Sequence, residues 1–204
     1  METTTIRDRS VLGAFRTDNG IRFAVWAPHA KRVYVCGSFN NWQEEDFPME
    51  RTEDGYWEID LKTAKAGDTY QYIIETEDGQ RLWRNDPYAR SLTNSAGDSI
   101  IELGEYDWED DNFTVPHWNE LVIYELHIGT FHVKEEGKVG TFASAIEKLP
   151  YLKDLGINAI ELMPVNEFAG DFSWGYNPAF PFAVEEAYGG PTGLKDFVKA
   201  AHSH

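Results

Sequence analysis

Leu121-Val-Ile-Tyr-Glu-Leu-His-Ile128 is a nearly unbroken apolar run, the pattern of a strand buried on both faces. Downstream, Asn158-Ala-Ile-Glu-Leu162 reads as a second buried strand. Between them Ile146, Leu149 and Leu152 recur at helical spacing over 144–154, and Gly156 follows as a stop. A loop rich in Gly, Pro and aromatic residues, 163–192, leads into a helix expected over about 193–203. Strand, helix, strand, loop, helix is the βαβα order of a parallel sheet. Upstream of residue 119 the period is two. Ile21, Phe23 and Val25 alternate onto one face, 33–36 is a further strand, and Asp54-Gly55 signals a hairpin ahead of Trp57, Ile59 and Leu61. Tyr70, Tyr72 and Ile74 share one face of 69–75, Asp78-Gly79 turns the chain, and 99–103 closes the set. Short strands at near-regular spacing predict an all-β immunoglobulin-like sandwich. The acidic segment 105–117, broken by Pro116, reads as a linker.

Composition bounds the partners. The chain has 204 residues, with 18 Lys+Arg against 35 Asp+Glu, a formal charge of −17. That field repels polyphosphates, so neither nucleic acid nor an anionic membrane is an expected partner. A hydrophobic fraction of 42% supplies enough apolar material for packed cores and argues against disorder. One cysteine, Cys36, excludes an intrachain disulfide framework and a Cys-rich zinc site. The start, Met1-Glu-Thr-Thr-Thr5, lacks the basic-then-apolar pattern of a signal peptide, and no apolar run has the length of a membrane helix. The expectation is a soluble protein of a reducing compartment, the cytoplasm. Aromatic residues reach 14%, with six of the seven tryptophans before residue 119.

Gly37-Ser-Phe-Asn-Asn-Trp42 sits at the end of a strand. Trp42 either offers its indole to the axial C–H face of a glucose, with amides such as Asn41 bonding hydroxyls, or packs into its own domain. The longer run from Val33 to Trp42, with Gly55-Tyr-Trp-Glu-Ile, Tyr70-Gln-Tyr-Ile and Asp86-Pro-Tyr-Ala89, resembles the glycogen/starch-binding-type module at the N-terminus of glycogen branching enzymes and isoamylases. That resemblance implies a sugar site of two tryptophans, a lysine and an asparagine. Trp42 and Trp83 match the tryptophans, whereas Ile73 stands at the lysine position and Ile100 near the asparagine. These departures imply a structural module with weak or no polysaccharide binding.

The second half carries the more specific motifs. The run from Leu121 to Phe131, then Gly156-Ile-Asn-Ala-Ile-Glu-Leu-Met-Pro-Val-Asn-Glu167, then Ser173-Trp-Gly-Tyr-Asn-Pro178 and the helix that follows Tyr188-Gly-Gly-Pro resemble, in order, the opening of the barrel in the α-amylase superfamily. Branching enzymes and maltooligosyltrehalose trehalohydrolases are the most similar members. The resemblance implies a sandwich over 1–104, a linker over 105–118 and, over 119–204, an incomplete (β/α)8 barrel of about two βα units. By the same resemblance Tyr176 stacks on the glucose whose bond is cleaved, and Trp174 and Asn177 shape the loop or touch substrate. An aromatic floor suits a ring flattening toward an oxocarbenium-like transition state. The alternative for Tyr176 is a loop aromatic that anchors 163–192. His127 reads as a hydrogen-bonding partner at a strand end, and Glu161 as a barrel-interior carboxylate satisfied by a neighbour.

Retaining α-glucan enzymes need two carboxyls about 5–5.5 Å apart. The resemblance places these in motifs after the third, fourth, fifth and seventh strands, and none of those motifs occurs in the sequence. The next one would begin a few residues beyond Ala200-Ala-His-Ser-His204. Nothing in the spacing of Glu125, Glu161, Glu167 and Asp171 recommends a substitute pair. The expectation is thus the front part of an α-1,4/1,6-glucan-active enzyme, inactive by itself, with glycogen, starch or maltooligosaccharide as ligand. Neither cofactor nor metal is implied, because glycosyl transfer needs only carboxylates and no Asp/Asn cluster has calcium-site spacing. The competing reading is a non-catalytic glucan-binding or scaffold protein. In either case two apolar strands without barrel neighbours are expected to self-associate, dock on the sandwich or stay poorly ordered.

Overall fold

The computed structural model describes residues 12–109 and 111–204; the leader-type reading of Met1-Glu-Thr-Thr-Thr5 falls outside them. The chain divides into two units, one running to Ala89 plus Asp98–Leu103, the other Arg90–Gly97 plus Gly104–His204. Among the described residues no helix is long and apolar enough to cross a membrane.

The first unit holds eight described strands: β1 (Gly13–Thr17), β2 (Gly20–Trp26), β3 (Arg32–Gly37), β4 (Glu50–Arg51), β5 (Tyr56–Leu61), β6 (Thr69–Glu75), β7 (Arg81–Arg84) and β8 (Ser99–Ile100). They form two antiparallel sheets, β1-β2-β5-β4 and β3-β6-β7, with β8 also paired to β6. The alternation read from the sequence sets the faces: Phe23, Val25, Trp57 and Leu61 from one sheet meet Val33, Val35, Tyr70 and Tyr72 from the other in a single core. The tyrosines bring hydroxyls into that core, and one carboxylate satisfies both. Tyr70 Oη and Tyr72 Oη donate to Asp86 Oδ2 at 2.7 and 3.1 Å, while Asp86 Oδ1 accepts from the Tyr88 amide at 2.8 Å. Asp86 is fully buried, and each hydroxyl left unpaired there would cost about 1–3 kcal/mol. The expected last strand over 99–103 is shorter, only Ser99–Ile100; Ile101 instead turns its side chain into the core.

The second unit contains β9 (Ile123–Leu126), α1 (Ile128–Phe131), α2 (Phe142–Ile146), α3 (Leu149–Asp154), β10 (Ala159–Leu162), β11 (Asn166–Phe168), β12 (Pro178–Val184) and α4 (Gly190–His202). β9 and β10 pair in parallel, as the βα order requires. Burial on both faces does not hold for β9. Leu126 and Tyr124 face the helices, whereas Ile123 is 50% exposed and Val122 49%. Only two parallel strands are described, so no further layer covers the opposite face. The helix expected over 144–154 is two helices. Pro150 lacks the N–H that would continue α2 and opens α3 instead. α2 begins at Phe142, where Thr141 Oγ1 accepts from the Ser144 amide and Ser144 Oγ from the Thr141 amide. α4 begins three residues earlier than read, with Pro191 in its first turn.

The long loop also contains an antiparallel pair, β11 with β12. Its closure is a reciprocal carboxylate clasp. Glu167 Oε2 accepts from the Glu186 amide at 2.9 Å, and Glu185 Oε2 accepts from the Phe168 amide at 3.1 Å. Both glutamates are at most 2% exposed. Burial, with Glu185, Glu186 and Asp171 nearby, pushes the Glu167 carboxyl up to about 7 against the pull of the Glu186 amide; burial also raises Glu185. A carboxyl raised in the folded state keeps its proton after the unfolded chain has lost it near pH 4.5. The stability this contributes is therefore present at low pH and lost as pH rises toward 7. Amide-exchange protection at Glu186 should fall on the order of a hundredfold, roughly 3 kcal/mol, between pH 5 and 7.5. Glu167→Gln keeps the acceptor without titrating and should flatten that slope; an unchanged slope in the variant contradicts the assignment.

Candidate functional site

Residues 173–177 leave the carboxyl end of β10 by way of Met163–Val165 and β11, on the side where barrel enzymes carry their chemistry. Trp174 is 71% exposed and Tyr176 66%. Tyr176 is thus not a buried anchor for the loop; both rings are open to a ligand. Ser173 Oγ donates to Asn177 Oδ1 at 2.6 Å and accepts from the Gly175 amide at 3.1 Å, closing the segment on itself. Gly175 has φ of 82°, and a Cβ there would lie 2.3 Å from the Pro164 carbonyl oxygen, so no other residue fits without displacing the backbone. Asn177 is committed to shaping the loop through its bond with Ser173. Next to this segment Phe172, also exposed, lines a cavity of about 440 Å³ with Lys134, Lys138, Asp171 and Glu186.

The acidic residues are distributed differently. Glu125 and Glu161 are direct register partners, both exposed on the face of β9 and β10 opposite the helices, the face that a closed barrel turns inward. Glu167 is held in the clasp with its oxygen on a backbone amide. His127 ends β9 and turns its ring toward Thr130, Ser173 and Tyr188. Tyr188 was not singled out by sequence reasoning for its side chain. It is 1% exposed and packs edge-on against His127, Phe142 and Phe168.

In the first unit the outer face of β3-β6-β7 brings the two candidate tryptophans together. Register sets Tyr34 opposite Ile73 and Ile73 opposite Trp83. Trp42 reaches over the same face, its ring centroid 6.3 Å from that of Trp83 at an angle of 36°. Ile73 is fully buried with Tyr34 and Cys36 beneath Trp42, so the position where the resemblance expects a lysine is filled by hydrocarbon. The Cys36 thiol is pushed up to about 12, chiefly by burial, and is held protonated. Asn41 and Trp42 both have positive φ, 53° and 61°. The turn is stabilised by Asn40, whose Oδ1 accepts from the Gly37 amide at 3.0 Å and whose Nδ2 donates to the Gln43 carbonyl at 2.7 Å. Asn41 is left exposed beside Trp42.

Comparison with known proteins agrees with this division. Carbohydrate-binding module 48, the isoamylase N-terminal domain, matches residues 11–89. The alpha amylase catalytic domain matches residues 87–204. A malto-oligosyltrehalose trehalohydrolase of Saccharolobus solfataricus is 38% identical over 91% of this chain and 31% of its own length. The 1,4-alpha-glucan branching enzyme GlgB of Nitrosomonas europaea is 38% identical over 94% of this chain and 28% of its own. Among solved structures, an α-amylase-type protein of Salmonella typhimurium superposes with a TM-score of 0.80 at 32% identity, covering 94% of this chain and 31% of that one. A pullulanase solved with maltotetraose shares the fold, with a TM-score of 0.72 at 22% identity, over 95% of this chain and 32% of that one. The chain therefore spans about three-tenths of the length of these relatives. With an immunoglobulin-like module followed by the parallel β9–β10 pair and its Trp-Gly-Tyr loop, this chain belongs to the α-amylase family of glycoside hydrolases and glucanotransferases.

Proposed function

We propose that the chain is the N-terminal portion of a cytoplasmic α-1,4/1,6-glucan-active enzyme of the branching or trehalose-releasing type. It binds glycogen, starch or maltooligosaccharide and does not itself cleave them. The observation that carries this reading is the pair of open rings, Trp174 and Tyr176, on a self-closed loop downstream of a parallel strand's carboxyl end. Two large aromatic faces left in water favour a ligand with an apolar face, and the C–H face of glucose is one. The same chemistry extends to Trp42 and Trp83, with Asn41 at their side. With Ile73 in place of a cation-bearing side chain, that pair binds more weakly than the loop. Catalysis needs two facing carboxyls. Of the four acidic side chains Glu125, Glu161, Glu167 and Asp171, Glu167 is bound to backbone, Glu125 and Glu161 lie on the bare sheet face, and Asp171 is exposed at the cavity beside Phe172. Turnover therefore belongs to sequence beyond this chain.

Titration calorimetry with maltoheptaose tests the binding, and amylose turnover tests the division of labour. Tyr176→Ala should weaken binding about 2- to 10-fold, the range of one aromatic contact, and Trp42→Ala should lower retention on insoluble starch. Unaltered affinity in Tyr176→Ala opposes the loop reading, and amylose cleavage or branching by this chain opposes the catalytic one.

The half-exposed Val122 and Ile123 also give copies of this chain an apolar surface beside an unpaired strand edge. An apparent mass rising with concentration on a sizing column is the expected sign; a fixed monomer mass contradicts it.

A further inference from the structure

One carbonyl oxygen, that of Ser173, is gripped from two sides. His127 Nε2 lies 2.9 Å from it, and Tyr188 Oη lies 3.4 Å from it and 3.0 Å from the same Nε2. His127 Nδ1 is 3.0 Å from Thr130 Oγ1. A carbonyl oxygen only accepts, so its approach to Nε2 places a proton there. In the neutral ring Nδ1 is then the acceptor, and the Thr130 hydroxyl donates to it. Burial, aided by Glu185, pushes the Tyr188 hydroxyl up to about 12, so it keeps its proton as a second donor toward Ser173. The turn after β9 is shaped around this contact: a Cβ on Gly129 would lie 2.7 Å from Tyr188 Oη and 3.0 Å from His127 Cε1.

The bonds within 173–177 fix the shape of the segment but not its placement. Among the described hydrogen bonds, those reaching the Ser173 carbonyl are the ones that tie residues 173–177 to another part of the unit. We propose that His127 and Tyr188 are positioning residues for the sugar-stacking loop. Together they hold the Ser173 carbonyl, so that the end of β9 sets where Trp174 and Tyr176 present their rings. This rests on reading those rings as glucan-facing. Tyr188 is 1% exposed, and both side chains act through the Ser173 carbonyl. His127 acts through a single N–H and Tyr188 through a single hydroxyl, so their effects should follow those atoms and not ring volume.

The test uses this chain with His127→Leu, His127→Gln and Tyr188→Phe. Backbone ¹⁵N relaxation at Trp174–Tyr176 reads placement without sugar, β10 amides report whether the unit remains folded, and maltoheptaose affinity reads the consequence. The expected result is lost order at 174–176 and about fivefold weaker binding in His127→Leu, with a smaller effect of the same kind in Tyr188→Phe. Gln carries an N–H at about the reach of Nε2, so His127→Gln should restore both. Undiminished order in His127→Leu, or a loss in His127→Gln equal to that in His127→Leu, overturns the proposal. Should His127→Leu unfold the unit, Tyr188→Phe decides alone, since it removes one oxygen, and unchanged order there overturns the proposal. If Tyr176→Ala leaves affinity untouched, the glucan reading fails by itself, and the relaxation data still judge the anchor.

Discussion

The second unit is organised around one buried phenol. Tyr188 stands on the turn that links β12 to α4, and its ring meets side chains from α2, from β11 and from the end of β9. A ring of this size gains several contacts at once on burial, but its hydroxyl must be satisfied in the same place. The satisfying partners are His127 and the Ser173 carbonyl, which belong to the site. Packing and loop placement are therefore coupled through a single side chain. The unit cannot bury Tyr188 in this arrangement without also deciding where the Ser173–Asn177 segment begins.

Buried oxygen is handled by the same rule in both units. Asp86 collects two tyrosine hydroxyls and a backbone amide inside the sandwich. Glu167 and Glu185 each take an amide from the other's neighbour at the closure of the β11–β12 pair. In each case the carboxyl is removed from water and repaid in hydrogen bonds, so its cost stays moderate while wrong registers, which would leave it unpaired, are excluded. The difference lies in the partners. Asp86 meets hydroxyl donors at both tyrosines, whereas Glu167 has a single backbone amide on its carboxyl, and burial, reinforced by the carboxylates nearby, makes the clasp sensitive to pH.

Much of this was legible in the sequence where alternation was undisturbed. β6 was readable to the residue, because Tyr70, Tyr72 and Ile74 carry an unambiguous period of two. β10 and the parallel order followed from apolar runs on either side of a helical period. β12 was hidden by Pro178 and Pro181, which argue against a strand and are tolerated here because the pair has only two members. The break between α2 and α3 was available at Pro150 and was outweighed by the spacing of Ile146, Leu149 and Leu152. Motif resemblance singled out Trp174, Tyr176 and the tryptophans of the sandwich as candidates. It could not locate the grip on Ser173, whose members are 46 and 15 residues away from it and share no local pattern. A histidine at a strand end was the only trace, and its partners are set by tertiary packing.

The seven tryptophans make the central claim, that both units offer indole faces to α-glucan, directly measurable. In an ¹⁵N–¹H titration of the indole groups with maltoheptaose, Trp174 should shift first and saturate. Trp42 and Trp83 should follow at higher sugar concentration. Trp57, buried in the sandwich with its Nε1 donating to the Ala27 carbonyl at 2.9 Å, should stay still. A motionless Trp174, or a uniform drift of all the indoles including Trp57, would contradict the account.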